Sequence, residues 1–469
     1  MGRPQTHVEP FLHLVDVMPT RALIAWGAFW FERAGDDAPW RIVDDERLPQ
    51  VADGRRGCIG ASAEPFGDTV LEAIGPDGRV AASARTSDRS WAWLEGLEPD
   101  TEYVYRVLVD GAEWGAGERW DSVPSDRGGY DLQPAGRHYD LRFRTFPDLA
   151  DAAPLAFAAL GDFGVGICTD SESSRRQRRV AEALEYLVDE RGVRLVVGLG
   201  DNVYLGEEGR IGQESGGEDD DWYSSYFQPY RYVVSRVPVY PAVGNHDATD
   251  TEGSDDRAQM EDNFHTAERF DVGDDRSSLG PGLFYRFRYG ADVELVCVDS
   301  SLAGEEEGVH RHFQDAGHRR WLQEAFAPDG PRWRIPFSHH PAYCAGPEHG
   351  NDQEVIDDLL PLYAAGGVRL VLAGHEHNFQ ISRADGVTHV ISGAGGKLRE
   401  NVPHDFEPAR TEAWATQAHV LLVELDADEA RLTPVSGMRA GGEPHLLSAL
   451  TPKNEVRYPP FVVRRDPGR

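Results

Sequence analysis

Residues 155–164 read LAFAALGDFG, an apolar run followed at once by a glycine and an aspartate. The same arrangement recurs along the chain, where further apolar runs each end in a short polar motif. These are VRLVVGLGDNVY (193–204), VPVYPAVGNHD (237–247), IPFSHHP (335–341) and VRLVLAGHEHN (368–378). Short apolar runs bounded by turn residues are typical of strands buried on both faces. A polar motif after each strand predicts a site at one edge of a sheet.

The chain between these motifs alternates strand and helix patterns. After the first motif, Val180, Leu184, Leu187 and Val188 fall on one face of a predicted helix. Two late apolar runs, at 420–425 and 430–435, are typical of a closing hairpin. Alternating strands and helices predict an α/β domain whose strands are covered on both faces. We assign residues 151–469 to this domain.

Residues 1–150 have a different pattern, which predicts an all-β domain. Tyr103, Tyr105, Val107 and Val109 alternate along a predicted strand. A tyrosine just inside such a strand is a feature of immunoglobulin-like sandwiches. The segment resembles a fibronectin type III domain, and we expect it to support the second domain without chemistry of its own.

The composition argues against several classes of partner. The formal net charge is -33 at pH 7, so the chain repels nucleic-acid phosphates. No apolar run reaches the ~18 residues of a membrane-spanning helix, and the first residues show no apolar signal region. We expect no nucleic-acid and no membrane partner; a cytoplasmic location is favoured, and a secreted mature form stays open. The four cysteines form no CxxC pair, which argues against a structural zinc ribbon.

The residue types in the motifs are those that bind metal ions. Carboxylates, an amide and imidazoles supply the oxygen and nitrogen donors that hard and borderline metals prefer. Two neighbouring ions need a donor that reaches both, and Asp201 is the candidate because a carboxylate has two oxygens. Asp162 would bind one ion and Asn245 the other. The remaining donors are imidazoles, those of His339, His375 and His377.

Four other histidines lie near the motifs. His340 is an alternative to His339, which we prefer because it stands two residues before the proline of its motif. The other three, which lie in a polar stretch before a predicted helix, are expected at the surface. They are His310, His312 and His318.

The ordered set GDxG, GDxxY, GNHD, HxP and GHxH resembles the calcineurin-like metallophosphoesterases, and more narrowly the purple acid phosphatases. Asp162 is followed by Phe163 and Gly164, where most of the wider superfamily has a histidine ligand two residues after the aspartate. Tyr204 stands three residues after Asp201, where the purple enzymes have a tyrosinate ligand. The resemblance implies a metallophosphoesterase-type β-sandwich flanked by helices, preceded here by the all-β domain.

The resemblance also implies a binuclear metal centre. It assigns Fe(III) to Asp162, Tyr204, His377 and a bridging Asp201. It assigns a divalent ion (Fe, Zn or Mn) to Asn245, His339, His375 and the same Asp201. Donor chemistry agrees, because phenolate and carboxylates suit a trivalent ion, whereas imidazoles and an amide suit a divalent one.

The reaction implied by the resemblance is hydrolysis of a small phosphate ester. A phosphomonoester would bind across the two ions, and a metal-bound hydroxide would attack phosphorus at acid pH. His246, beside Asn245, and His349, in a Glu-His-Gly triplet, are candidates to contact the phosphate or to protonate the leaving alcohol. We therefore predict an acid phosphatase-like hydrolase of phosphoric ester bonds.

Two other functions stay open on the sequence. The first is a phosphodiesterase of the wider superfamily, because loop shape rather than the ligand set decides which esters reach the ions. The second is a non-catalytic module in which the β domain binds a partner; the intact ligand set argues against it. Two long acidic loops, at residues 205–224 and 247–280, are predicted to form solvated surface or to rim the site. No motif indicates the natural substrate or the oligomeric state.

Overall fold

The computed structural model describes residues 5–43, 60–61, 67–204, 221–248, 256–270, 283–303, 310–440 and 442–465. Cys58 and most of the two long acidic loops lie outside these ranges, so a role of the loops at the site stays a prediction. Among the described residues, no helix combines the length and the apolar character needed to span a bilayer.

The N-terminal region consists of antiparallel sheets. Its strands are β1 (Gln5–Val17), β2 (Arg21–Arg33), β3 (Arg41–Ile42), β4 (Thr69–Ile74), β5 (Val80–Thr86), β6 (Trp91–Glu95), β7 (Glu102–Val109), β8 (Ala112–Glu113), β9 (Trp120–Pro124), β10 (Tyr130–Pro134) and β11 (Arg142–Arg144). β2 pairs with β1, β3 and β6, whereas β4 pairs with β5 and β7. The β7 strand also pairs with β8 and β11, and β9 and β10 form a hairpin. In its described residues this region is all-β, as predicted.

Strand β7 shows how alternating side chains build the N-terminal core. Tyr103, Tyr105, Val107 and Val109 are buried, and the residues between them are more exposed. The Tyr103 hydroxyl accepts a hydrogen bond of 2.9 Å from the backbone N–H of Glu98. A tyrosine hydroxyl bonded to the backbone a few residues upstream is the tyrosine corner of immunoglobulin-like sandwiches. The fibronectin type III comparison and the domain boundary at residue 150 stay predictions.

Two mixed sheets follow. The strands of the first are β12 (Leu155–Leu160), β13 (Val196–Gly198), β14 (Val239–Pro241), β24 (Val420–Leu425), β25 (Glu429–Met438), β26 (Pro444–Leu446) and β29 (Phe461–Arg464). Their order is β14-β13-β12-β24-β25-β26, with β29 beside β25. The strands of the second are β15 (Tyr285–Tyr289), β16 (Val293–Cys297), β19 (Trp333–Ser338), β20 (Leu370–Ala373), β21 (Phe379–Ala384), β22 (Val387–Ser392), β23 (Thr411–Ala415), β27 (Ala449–Leu450) and β28 (Val456–Arg457). Their order is β15-β16-β19-β20-β22-β21-β23-β27-β28. A separate short pair consists of β17 (Leu302–Ala303) and β18 (His310–Arg311).

The two large sheets pack face to face. Phe157 and Val197 of the first sheet share one buried cluster with Leu295, Phe337 and Leu372 of the second. Because side chains alternate across a strand, the side chains of the intervening residues point to the outer faces of the sandwich. The apolar runs of these strands are buried on both sides for this reason, as the sequence predicts.

The described residues form the helices α1 (Glu172–Arg191), a π-helix (Tyr223–Phe227), α2 (Gln228–Val234), α3 (Asn245–Ala248), α4 (Asp256–Asn263), α5 (Thr266–Phe270), a 3-10 turn (His312–Gln314), α6 (Ala316–Ala325) and α7 (Gln353–Ala365). Several of them cover the two outer faces. Leu184 of α1 packs with Ala158 on the outer face of the first sheet. Leu322 of α6 and Val355 of α7 pack with Val371 on the outer face of the second. The predicted β-sandwich flanked by helices is confirmed.

Helix α1 begins and ends where its sequence provides caps. The Ser171 side chain accepts a hydrogen bond from the backbone N–H of Ser174, and Gly192 ends the helix with a φ of 63°. Along the predicted apolar face, Val180, Leu184 and Leu187 are buried. That part of the prediction is therefore confirmed.

The N-terminal sheets contact the sandwich through buried side chains, which we call the N-terminal interface. Phe11 of β1 lies 4.6 Å from Phe227 of the π-helix, measured between ring centroids. Arg231 of α2 is 4% exposed and donates a hydrogen bond of 2.6 Å to the Asp121 carboxylate. The same guanidinium lies 3.4 Å from Glu9, which is also buried. The interface thus combines aromatic packing with buried ion pairs.

Candidate metal centre

The polar motifs lie together at one edge of the sandwich, because each follows the carboxyl end of a strand. Asp162 follows β12, Asp201 and Tyr204 follow β13, Asn245 follows β14, His339 follows β19, and His375 and His377 follow β20. Parallel pairing within β12, β13 and β14, and between β19 and β20, directs these ends to the same side. The structure brings all seven predicted ligands together there.

Several residues at these strand ends have a left-handed backbone. The φ angle is 56° at Asp162, 52° at Asp201 and 70° at His375. Residues other than glycine rarely adopt this conformation, and it persists where the surroundings enforce it, often at functional sites. Gly244 shows how tight the packing is, since a Cβ there would lie 2.1 Å from Asp201 Oδ1. Only glycine lets the Asp201 carboxylate lie against this backbone.

One half of the centre is rich in oxygen. The Tyr204 hydroxyl lies 2.9 Å from Asp201 Oδ2, 3.4 Å from Asp162 Oδ1 and 3.4 Å from His377 Nε2. His377 Nε2 in turn lies 3.3 Å from Asp162 Oδ1. The phenol carries one proton, which cannot satisfy all three neighbours. Two carboxylates, a phenol and an imidazole gathered in this way suit a hard cation.

The other half is rich in nitrogen. His339 Nε2 lies 2.9 Å from Asn245 Oδ1 and 3.1 Å from His375 Nδ1. His375 Nδ1 lies 3.0 Å from the same Asn245 oxygen. The other ring nitrogen of His339, Nδ1, lies 2.8 Å from the Leu199 carbonyl, so we assign the ring proton to it. His339 Nε2 then directs a lone pair at another acceptor, and such convergence fits a cation between them.

Asp201 reaches both halves. Its Oδ2 contacts the Tyr204 hydroxyl, and its Oδ1 lies 3.3 Å from His339 Nε2. The same Oδ1 accepts a hydrogen bond of 3.0 Å from the backbone N–H of His246. One oxygen directed at each half is the arrangement that a bridging carboxylate needs.

The electrostatics of the site also fit bound cations. Burial raises the pKa of Asp162 to about 7, and burial together with the Asp162 charge raises the pKa of Asp201. Burial lowers the pKa of His377 to about 3 and holds the pKa of His375 far below its ordinary value. Imidazoles bind metals in their neutral form. Crowded, buried carboxylates are the groups whose ionised form a metal ion stabilises.

Asp247, the last residue of the GNHD motif, holds two motifs together. Its carboxylate accepts hydrogen bonds from the backbone N–H of Gly244 at 2.8 Å and from the backbone N–H of Asn202 at 3.0 Å. It also accepts one of 2.8 Å from the Asn202 side chain. Asp247 therefore fixes the Asp201 turn against the Asn245 turn. The sequence reasoning gave it no role, although its place in the motif was a signal.

The two candidate catalytic histidines lie beside different halves. The His246 ring lies 4.5 Å from the Tyr204 ring, between centroids. The His349 ring stacks on the His375 ring at 3.9 Å, with an angle of 25° between their planes. Both side chains are half-buried. Each is therefore next to a candidate ligand and partly exposed.

His340 lies at the edge of the nitrogen-rich half. One of its ring nitrogens lies within 4.8 Å of donor atoms of His339 and His375. Its Nδ1 lies 3.0 Å from the Ser300 hydroxyl. His339, in contrast, contacts both Asn245 and the Asp201 carboxylate.

Local positive charge comes from the segment after β22. The Lys397 ammonium lies 4.6 Å from the centroid of the Tyr204 ring. The backbone N–H groups of Gly396 and Lys397 both donate to the Asp162 carbonyl at 3.0 Å. Lys397 is one of two lysines in a chain of strongly negative net charge. No motif in the sequence singled out this residue.

One prediction about the other histidines is wrong. His318, expected at the surface, is 3% exposed and stacks on Phe284 with 3.6 Å between ring centroids. It lies on the inner face of α6, where burial holds its pKa at about 4. Because its neighbours in the sequence are polar, the sequence does not indicate a buried helix face there.

Comparisons with known proteins agree with the geometry. A family model described as "Calcineurin-like phosphoesterase" matches residues 155–379. Tartrate-resistant acid phosphatase type 5 of Rattus norvegicus is 27% identical over 271 residues, which cover 54% of this chain and 76% of that protein. Purple acid phosphatase 3 of Arabidopsis thaliana is 25% identical over 274 residues, 55% of this chain and 67% of that one.

The fold is also found in a solved structure. Purple acid phosphatase PPD1 from yellow lupin (Lupinus luteus) seeds superposes with a TM-score of 0.57 at 13% identity, covering 99% of this chain and 75% of that chain. At this identity the likeness concerns the fold alone. The predicted enzyme class, a hydrolase of phosphoric esters, is confirmed by the family match and the sequence relatives. Residues 155–379 of this chain form a calcineurin-like phosphoesterase domain, whose sequence relatives include tartrate-resistant and purple acid phosphatases.

Proposed function

We propose that this domain holds two metal ions and hydrolyses phosphomonoesters at acid pH. The observation that supports it most directly is the convergence of His339 Nε2, Asn245 Oδ1 and His375 Nδ1, next to a carboxylate-rich cluster that shares Asp201. The acid phosphatase relatives support the substrate class, a small phosphate ester.

The donor sets support two different ions. We assign Fe(III) to the oxygen-rich half, made of Asp162, Asp201, Tyr204 and His377. We assign divalent Fe, Zn or Mn to the nitrogen-rich half, made of Asp201, Asn245, His339 and His375. When bound, such a pair supplies Lewis-acid stabilisation of the phosphate oxygens and activation of water.

The chain's own residues would bind the ester and move a proton. His246 and His349 are the imidazoles beside the two halves, and imidazole is the most frequent general acid in enzymes. Either ring can contact the phosphate or protonate the leaving alcohol. Lys397 adds a positive charge near Tyr204, which favours an anionic substrate despite the net charge of the chain.

The test compares wild type with Asp201→Asn, which keeps the size of the side chain and removes its charge. We expect p-nitrophenyl phosphate hydrolysis to fall at least roughly 100-fold, with a lower metal content by elemental analysis. The matched control is Asp77→Asn, in the exposed turn between β4 and β5. This variant should keep the wild-type hydrolysis rate and metal content.

Two results would contradict the proposal. Wild type without turnover under any metal loading would favour a non-catalytic module. Faster hydrolysis of bis(p-nitrophenyl) phosphate than of the monoester would favour a phosphodiesterase.

A further inference from the structure

The turn that carries His375 and His377 has a second set of polar side chains at alternate positions. They are Glu376, Asn378 and Gln380, and each has no exposed surface. Buried polar groups are costly unless they are hydrogen-bonded. Their partners therefore show what they do.

All three contact one loop, residues 344–350, which we call the His349 loop. Glu376 Oε2 accepts a hydrogen bond of 2.9 Å from the backbone N–H of His349. Gln380 Oε1 accepts one of 2.9 Å from the backbone N–H of Ala345. The side-chain amides of Gln380 and Asn378 both donate to the carbonyl of Gly346, at 3.0 Å and 3.1 Å. The loop backbone is thus held at three points.

Arg399 supplies the counter-charge for Glu376. Its Nη1 donates to Glu376 Oε1 at 3.0 Å, and its backbone N–H donates to the His377 carbonyl at 2.9 Å. A buried carboxylate needs such a partner. Through its side chain and its backbone, Arg399 therefore links the segment after β22 to the metal-site turn and, through Glu376, to the His349 loop.

We propose that Glu376, Asn378 and Gln380 are positioning residues that hold the His349 loop and so fix the His349 ring over His375. The catalytic consequence rests on the proposed function, since it needs His349 to act on a phosphomonoester. When the backbone is held, the entropy of ordering the side chain is lost on folding and not during the reaction.

The kinetic test uses Gln380→Met, which keeps length and burial and removes the hydrogen bonds to the loop. We expect kcat/KM on phosphomonoesters to fall roughly 10-fold. Gln380→Met and His349→Ala should divide their losses of kcat/KM between kcat and KM in the same way, measured on p-nitrophenyl phosphate and on glycerol phosphate. In the His349→Ala background, Gln380→Met should have no further effect. Ser382→Ala is the matched control, because Ser382 is buried in the same strand and bonds Thr411 instead.

A structural readout separates this inference from the proposed function. Hydrogen exchange of residues 344–350, followed by mass spectrometry, should be faster in Gln380→Met and in Glu376→Gln than in wild type. Ser382→Ala should exchange as wild type does. This comparison holds even where the wild type hydrolyses no phosphomonoester.

Unchanged exchange in both variants would overturn the proposal. An effect of Gln380→Met that adds fully to that of His349→Ala would also overturn it. If the exchange result is as expected but no phosphomonoester is hydrolysed, only the proposed function fails.

Discussion

Nε2 of His339 lies 2.9 Å from the side-chain oxygen of Asn245, while Nδ1 of the same ring lies 2.8 Å from the Leu199 carbonyl. A neutral imidazole has one N–H, and the carbonyl accepts it. With the Asn245 amide oriented so that its oxygen faces the ring, both atoms are acceptors, and a cation bound to both would stabilise the contact. This pair of distances supports the metal proposal independently of the motifs.

Metal binding should stabilise the folded protein. Adding a divalent ion to chelator-treated protein should raise the melting temperature. At 100 times its Kd, the ion should increase the free energy of unfolding by about 2.7 kcal/mol. Differential scanning calorimetry measures this. His339→Ala should lose most of the increase. An equal increase in that variant would mean that the ion binds elsewhere.

Tyr204→Phe should remove the colour of the protein. If the phenolate binds Fe(III), the isolated wild type should contain iron and absorb visible light, and the variant should be colourless. An absorption spectrum with iron analysis tests this. A colourless wild type loaded only with zinc or manganese would remove the tyrosinate assignment and leave the phosphoesterase domain unaffected.

Asp162 should reduce the stability of the metal-free protein as pH rises. The folded pKa of Asp162 is about 7, whereas an aspartate in an unfolded chain has a pKa of about 3.9. At this carboxyl the folded state binds more protons between these values, so its contribution to the free energy of unfolding decreases as pH increases from about 4 to about 7. Buried neutral imidazoles such as His377, whose pKa is about 3, contribute in the opposite direction, so the Asp162 effect is measured as a difference between variants. The melting temperature without metal at pH 5 minus that at pH 8 should be smaller in Asp162→Asn than in wild type, and an equal value would exclude this contribution.

Gly244→Ala should damage the metal centre from outside the ligand set. The added Cβ would lie 2.1 Å from Asp201 Oδ1 and must displace this carboxylate. We expect metal content and turnover to fall at least roughly 10-fold, measured by elemental analysis and ester hydrolysis. Gly317→Ala is the control, since a Cβ there meets nothing within 4 Å. Wild-type metal content in Gly244→Ala would show that Asp201 does not need its present position.

Arg231→Met should destabilise the N-terminal interface. The variant loses the hydrogen bonds of the buried guanidinium to the Trp120 carbonyl and to Asp121, whereas Glu9 keeps Arg119 at 3.6 Å, so we expect a cost of about 1–3 kcal/mol. Urea unfolding of the variant measures the loss. Arg79→Met, on a side chain that is 86% exposed, should change the free energy of unfolding by less than about 0.5 kcal/mol. A similar small change for Arg231→Met would mean that the buried pair is not needed for stability.

The sequence indicates which polar side chains meet at one edge, because these side chains follow strands that are visible as apolar runs. Strand β20 and the His375 turn illustrate this, since the run ends where the motif begins. Strand direction then places every motif at one edge, so only the local pattern has to be recognised. The α/β class and the all-β N-terminal region follow from the same two periodicities.

The rest depends on contacts between distant parts of the chain. Gln380 and Ala345 are 35 positions apart, and nothing in the intervening sequence indicates that they bond. His318 was misplaced because the burial of a helix face depends on what packs against it, here Phe284. Asp247 and Lys397 likewise act through partners that the chain brings near only after folding.

The N-terminal interface also changes what the phosphoesterase part of the chain could do by itself. A polypeptide that began at residue 151 would present Phe227 and the charged Arg231 side chain to water instead of to Phe11 and Glu9. An aromatic face of this kind promotes association between copies. A proteolytic cut that separated the two parts would therefore yield an aggregating fragment rather than a smaller working enzyme.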